Sequence, residues 1–153
     1  MVASRPQRPA SVAARLGPLF SIATSVAIST APDSQLAGNC PTNARALTVV
    51  LEGAGLTVDP VRGAIYDDPA RGPKPTRAAD IGRDFDGHWW VDAQFASTTW
   101  TLDLCSELPA RRHEPLIMQG MPTEYVPLTR NPPEMDIFNP APSDIPDDIS
   151  TPR

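Results

Sequence analysis

Residues 87–105 read Gly-His-Trp-Trp-Val-Asp-Ala-Gln-Phe-Ala-Ser-Thr-Thr-Trp-Thr-Leu-Asp-Leu-Cys, and they contain two runs rich in aromatic and β-branched residues. Such runs favour β-strands, so we expect residues 88–93 and 98–105 to form an antiparallel pair. Because side chains alternate between the two faces of a strand, this pair has one polar face and one mostly apolar face.

The register of this pair depends on where the chain turns. A turn at residues 94–97 places His88 directly opposite Asp103, where Cβ atoms are roughly 4.5–5.5 Å apart and a carboxylate can hydrogen-bond an imidazole. A turn centred on residues 97–98 would instead shift Asp103 toward Asp92 and away from His88.

A helix is predicted to begin at Cys40, within the sequence Gly38-Asn39-Cys40-Pro41. Proline suits the first turn of a helix, because its missing N–H would have no helical partner there. Gly53 and Gly55 are expected to end the helix. Apolar residues recur at helical spacing between these limits: Ala44, Leu47, Val50, Leu51 and Ala54.

The beginning of that helix is a favourable place for a reactive thiol. Unpaired backbone N–H groups and the positive end of the helix dipole stabilise a thiolate and can also hold an oxyanion. The Gln35 side chain is a candidate oxyanion donor, and Asn39 and Trp90 are candidate substrate contacts, with Trp90 as a wall of the substrate channel.

Cys40, His88 and Asp103 have the chemistry of a nucleophile, its base and the group that orients the base. Each residue also has a structural alternative: a small buried thiol for Cys40, a half-buried strand histidine for His88, and a strand-end carboxylate for Asp103. The combination favours the catalytic interpretation, in which no metal or organic cofactor is needed.

Residues 35–106 resemble the transglutaminase-like branch of the papain-like superfamily. In that branch a Gly-x-Cys opens a helix with Ala and Leu at the spacing found after Cys40, the histidine begins a strand similar to residues 88–92, and the aspartate follows a tryptophan as in residues 100–103. The resemblance implies an α+β fold with the nucleophile helix packed on a small antiparallel sheet. It also implies that Cys40 attacks, that His88 acts as base and acid, and that Asp103 orients His88.

The function expected from these residues is thiol-dependent acyl transfer on peptide or glutamine side-chain amides, as in a cysteine peptidase or a transglutaminase-like hydrolase. Bacterial protein-glutamine deamidases and papain-fold toxins look similar over the same stretch and are the alternative. A non-catalytic interaction module that keeps the fold is an alternative of another class. The expected partner is a protein or peptide substrate.

Composition divides the 153 residues into three parts. Residues 1–31 form either an amphipathic first helix, with Leu19, Ile22, Ala23 and Val26 on one face, or a signal segment. Residues 32–108 form the catalytic core, and residues 109–153 a proline-rich acidic extension in which long regular elements are not expected. Residues 67–86 are predicted to form a surface loop, either a lid or an insertion.

Charge, cysteine content and hydropathy limit the classes of partner and site that this chain is expected to have. The chain has a net charge of −5 and no visible basic stripe of the kind that nucleic-acid binding requires. This argues against nucleic acid as the main partner. A metal site is conceivable, but its four candidate ligands do not have the sequence spacing that is typical of metal sites. These candidates are Cys40, His88, Cys105 and His113. The N-terminal apolar run is expected to be too short and too polar to span a bilayer. We expect a cytoplasmic protein or an exported effector, with a cleaved signal peptide as the less favoured alternative.

Overall fold

The structure is a computed structural model, and it describes residues 9–80, 87–95, 97–109 and 112–132. In these residues two helices precede a five-stranded antiparallel sheet with the strand order β4-β3-β2-β1-β5. The elements are α1 (Pro9–Thr30), α2 (Cys40–Gly53), β1 (Thr57–Ile65), β2 (Gly87–Phe95), β3 (Thr98–Asp103), β4 (Leu116–Gln119) and β5 (Tyr125–Arg130). The predicted α+β class, with helices packed on an antiparallel sheet, is confirmed.

Helix α2 begins and ends where the sequence predicts. It starts at Cys40, with Pro41 in the first turn, and its last residue is Gly53. Gly55 then has a φ of 88°, a conformation that glycine adopts without strain. The helix packs against β1 and β2, while α1 packs against α2. This packing places the first residue of α2 beside the sheet.

The apolar face of α1 differs from the prediction. Ala23 is buried as expected, but Ile22 is 53% exposed, because the buried residues follow a stripe rotated away from it. That stripe consists of Val12, Leu16, Phe20, Ala23, Ala27 and Ala31. Residues 9–30 therefore contribute to the main core together with α2 and the sheet, and in the structure they do not form a part separate from residues 32–108.

Helix α1 also has the dimensions of a membrane span, contrary to the expectation from its polar residues. By length and composition alone, Ser11–Thr30 could cross a bilayer, with 20 residues and a mean hydropathy of 1.4. The core helix of a soluble protein and an N-terminal signal sequence meet the same criterion. In this structure 28% of the span is buried inside the protein, against the core described above.

The predicted register of the β2–β3 pair is wrong by two residues. The strands pair up to Phe95 opposite Thr98, so the turn is shorter than the predicted residues 94–97. This extra pair keeps the buried Phe95 in the sheet. A shift of two residues preserves the face on which every side chain lies, so the predicted polar and apolar faces remain.

Both edges of the sheet come from beyond residue 108, where the sequence predicts only an extension. Strand β4 pairs with β3, and β5 pairs with β1 with an irregularity between Arg62 and Gly63. Pro127 lies within β5, which is an edge strand, where a missing N–H is tolerated. The folded core thus continues to Arg130. Residues 133–153, the acidic end of the predicted extension, lie outside the described residues.

The sheet buries apolar side chains on both faces. One face packs on the helices through Trp89, Val91, Ala93, Phe95, Trp100 and Leu102. Trp90 lies on the other face in a second cluster with Val61, Leu108, Leu116 and Tyr125. Gly63 makes room for Trp90: a Cβ there would lie 2.5 Å from the indole ring and 2.1 Å from the Val126 carbonyl oxygen. The second cluster forms the floor on which the candidate site is built.

Candidate active site

The side chains of His88 and Asp103 contact each other across the β2–β3 pair. His88 is the second residue of β2 and Asp103 is the last residue of β3. The His88 Nε2 atom lies 2.5 Å from the Asp103 Oδ2 atom, and the two side chains are 2% and 1% exposed. Because the register is shifted, the two residues are not directly opposed as predicted. They are diagonal neighbours on the two strands, and their side chains can reach each other over that distance.

The Asp103 carboxylate accepts two further hydrogen bonds. The Tyr125 hydroxyl donates to Oδ2 over 2.5 Å, and the Cys105 backbone N–H donates to Oδ1 over 3.1 Å. A buried carboxylate is costly unless its oxygens are paired, so these donors are what keeps Asp103 in place. Burial and the neighbouring Asp103 charge raise the pKa of Tyr125, which keeps this hydroxyl protonated and able to donate.

The sequence prediction missed Tyr125. This residue begins β5, which pairs with β1 and not with β2 or β3. Its ring packs edge-on against His88, with the centroids 5.7 Å apart, and lies 4.7 Å from the centroid of Trp90. The Ser106 Oγ atom lies 3.2 Å from the tyrosine oxygen. No local pattern in residues 109–130 marks this tyrosine, because its role depends on a strand pairing between distant parts of the chain.

His88 uses one ring nitrogen for Asp103 and leaves the other unpaired. Its Nδ1 atom is buried and has no hydrogen-bond partner of normal geometry among the residues that the structure describes. Burial lowers the pKa of His88, but the hydrogen bond to Asp103 and the nearby Cys40 side chain raise it by more, to about 10. The imidazole is therefore protonated at neutral pH and can share or donate a proton at Nδ1.

Cys40 and His88 line the same open cavity, whose volume is about 480 Å³. Cys40 is a free thiol, half-buried, at the first position of α2. The other free thiol, Cys105, also lines the cavity. Burial and then the charges of Glu107 and Asp103 raise the pKa of Cys105 to about 11. Cys105 is thus a neutral thiol at neutral pH, which leaves Cys40 as the candidate nucleophile.

The structure does not bring Gln35, Asn39 or Trp90 to the wall of this cavity. Gln35 is exposed, and the Asn39 amide donates to Asp33 Oδ1 over 2.7 Å and to the Gln35 carbonyl over 3.0 Å. The Asn39 side chain therefore holds the loop before α2 and does not point to a substrate. Trp90 is fully buried under the site. Its ring stacks on His88 at 6.1 Å between centroids, so it supports the imidazole and does not form a channel wall.

The loop predicted as a lid or an insertion is described only over residues 67–80, since residues 81–86 lie outside the described residues. Its first part contains short helical turns at Pro69–Arg71 and Ala78–Asp80. Asp67 and Asp68 line the cavity, and Asp68 Oδ1 accepts the Ala70 N–H. Over the described part of the chain, no group of three or more His, Cys, Asp or Glu residues is placed to hold a metal ion.

The comparisons with known proteins give no relative. No protein-family model, no curated protein and no solved structure matches the chain.

We predict that Tyr125→Phe lowers the free energy of unfolding by about 1.5–3 kcal/mol, since it removes a hydrogen bond to a buried charged group. Tyr66→Phe is the matched control, because the Tyr66 hydroxyl donates to the neutral carbonyl oxygen of Gly72 and its loss costs about 0.5–1.5 kcal/mol. Urea denaturation of both variants measures the difference. Equal losses would show that Tyr125 does not stabilise the Asp103 charge.

The raised pKa of His88 predicts a pH-dependent stability. A group whose pKa is higher in the folded chain contributes stability that is fully present below its unfolded pKa of 6.5, and that is lost as pH rises through the folded pKa. The Cys40→Ala background isolates the effect of Asp103 on His88. In that background we expect the free energy of unfolding to fall above pH 6.5 by up to about 1.4 kcal/mol per pH unit.

The control for this pH dependence is the double variant Cys40→Ala/His88→Gln. Glutamine keeps an N–H donor for Asp103 but does not titrate. Urea denaturation at several pH values between about 6 and 8.5 spans the range in which unfolded histidine loses its proton. The decline should be absent or smaller in the double variant. Parallel curves for the two chains would contradict the raised pKa.

Proposed function

We propose that the protein is a cysteine-nucleophile acyl-transfer enzyme, with a transglutaminase-like core, that acts on peptide or glutamine side-chain amides. The observation that carries this proposal is the buried His88–Asp103 pair, whose free ring nitrogen and the Cys40 thiol share one open cavity. An unpaired buried nitrogen is destabilising, and proton exchange with Cys40 is a role that accounts for it.

In the reactive state the Cys40 proton already resides on His88 Nδ1, so that the two side chains form a thiolate–imidazolium pair. Asp103 holds the ring through Nε2 and stabilises its positive charge. Tyr125 fixes the carboxylate in turn. The thiolate then attacks the amide carbonyl carbon, and a C–S bond forms as the carbonyl oxygen becomes an oxyanion.

The start of α2 is the natural place for that oxyanion. The first N–H groups of a helix lack intrahelical partners, and the positive end of the helix dipole favours an anion there. The backbone N–H of Cys40, the first residue of α2, is the donor that we assign. Pro41 supplies no N–H, so the oxyanion cannot be bound at that position. The oxyanion donors are therefore backbone groups, and the Gln35 side chain is not required.

Collapse of the tetrahedral intermediate breaks the C–N bond, and the His88 Nδ1 proton goes to the leaving amine or ammonia. Water then attacks the thioester with neutral His88 as its base, which releases a carboxylic acid and the free thiol. A peptide-bond substrate gives backbone cleavage, and a glutamine side chain gives deamidation. An amine in place of water gives a cross-link.

We expect Cys40→Ala to lower turnover about a thousandfold or more, since no other group in the cavity forms the thioester. The assay incubates the protein with glutamine-containing and glutamine-free peptides, and mass spectrometry separates cleavage, deamidation and cross-linking. Cys105→Ala removes the other thiol and should retain turnover. Full activity of Cys40→Ala would overturn the proposal. Binding of the peptides without any turnover in the unaltered chain would favour a non-catalytic interaction module.

A further inference from the structure

The described residues that line the cavity carry an excess of negative charge. Asp67, Asp68 and Glu107 line the cavity, and the cations among the described residues that line it are Arg112 and the protonated His88. These side chains come from two segments, the loop after β1 and the segment after β3, which both contribute to the lining of the cavity.

The arginine does not cancel the carboxylates. Its nearest contact with Glu107 is 3.8 Å long and joins side chains that are 68% and 31% exposed. Exposed ion pairs of this kind are weak and exchange with water. Asp67 and Asp68 are both exposed, and Asp68 Oδ1 accepts a hydrogen bond from a neutral backbone N–H. The carboxylates therefore keep most of their charge available to a ligand.

One geometric and one electrostatic observation place this charge at the candidate active site. His88, almost completely buried, lines the cavity with an unpartnered Nδ1 atom. The Glu107 charge also acts on the cavity wall, since after burial it contributes to the raised pKa of the Cys105 thiol. Clefts lined by one sign of charge attract ligands of the opposite sign and raise their local concentration.

We propose that the cavity selects cationic substrates, namely polypeptide segments in which a lysine or arginine lies close to the amide that Cys40 attacks. The basic side chain would lie among Asp67, Asp68 and Glu107 while the amide carbonyl lies at the start of α2. This inference rests on the function proposed above and adds the substrate class. The net charge of −5 of the whole chain acts in the same direction at longer range.

The test uses two thiol reagents of similar size and opposite charge, which avoids the need for a known substrate. Trimethylammonium-ethyl methanethiosulfonate is cationic, and sulfonato-ethyl methanethiosulfonate is anionic. Each transfers its thioalkyl group to the Cys40 sulfur and releases methanesulfinate, so that one S–S bond replaces another. Peptide mapping by mass spectrometry assigns the adduct to Cys40, and glutathione supplies the intrinsic ratio of the two rates.

For the unaltered chain we expect a cation-to-anion rate ratio at least about fivefold above that of glutathione, and we expect high salt to reduce it. The variant Asp67→Asn/Asp68→Asn should lower the ratio, while asparagine still caps the turn at Ala70. The charge-matched control Glu52→Gln/Glu124→Gln removes two carboxylates that do not line the cavity and should leave the ratio nearly unchanged.

The possible outcomes separate this inference from the proposed function. A reactive Cys40 with the ratio of glutathione, or a ratio that both double variants lower equally, overturns the charge selection and leaves the enzyme proposal intact. A Cys40 that reacts with neither reagent in the folded chain overturns both. A raised ratio that only the Asp67→Asn/Asp68→Asn variant lowers supports the selection of cationic substrates.

Discussion

The buried carboxylate of Asp103 imposes the constraint on which the rest of the site depends. A carboxylate that is 1% exposed is strongly destabilising unless its oxygens are hydrogen-bonded and its charge is compensated. Here the donors are a ring nitrogen on β2, a hydroxyl on β5 and a backbone N–H just after β3. Three separate parts of the sheet therefore have to be in register before the charge is satisfied. The same arrangement fixes the histidine ring and leaves its other nitrogen without a partner of normal geometry, in a residue that lines the same cavity as Cys40.

The parts of this arrangement that local patterns specify could be predicted from the sequence. The start of α2 follows from Pro41 and from the apolar spacing behind it, and its end follows from the glycines. The shared face of His88 and Asp103 follows from the period of two in a strand. The predicted register is wrong, because residues 94–97 lack the Gly, Asn or Asp residues that define a tight turn. The error of two residues left both side chains on the same face, so the predicted pair still forms.

The parts that depend on distant contacts could not be predicted. Tyr125 reaches Asp103 only because β5 pairs with β1. The sequence pattern after residue 108 does not predict β4 and β5, because prolines in that region argue against regular elements. The sequence predicts Trp90 as a wall of the substrate channel because it shares a face with His88. Its indole ring instead packs closely against Gly63, within the buried second cluster beneath the site. The sequence predicts Ile22 on the buried side of α1, but the direction of that side is set by packing on α2 and the sheet. In each case the sequence does not show which other part of the folded chain the residue packs against.

The central claim is that His88, held by Asp103, activates the Cys40 thiol, and the rate of Cys40 alkylation by iodoacetamide tests it most directly. At about pH 6 an ordinary cysteine is almost entirely protonated and reacts slowly. The account predicts that folded Cys40 reacts at this pH at least about tenfold faster than Cys40 in the His88→Gln variant, since only the thiolate is a good nucleophile. Equal rates in the two folded chains, or no reaction at Cys40 until the protein is unfolded, would contradict it.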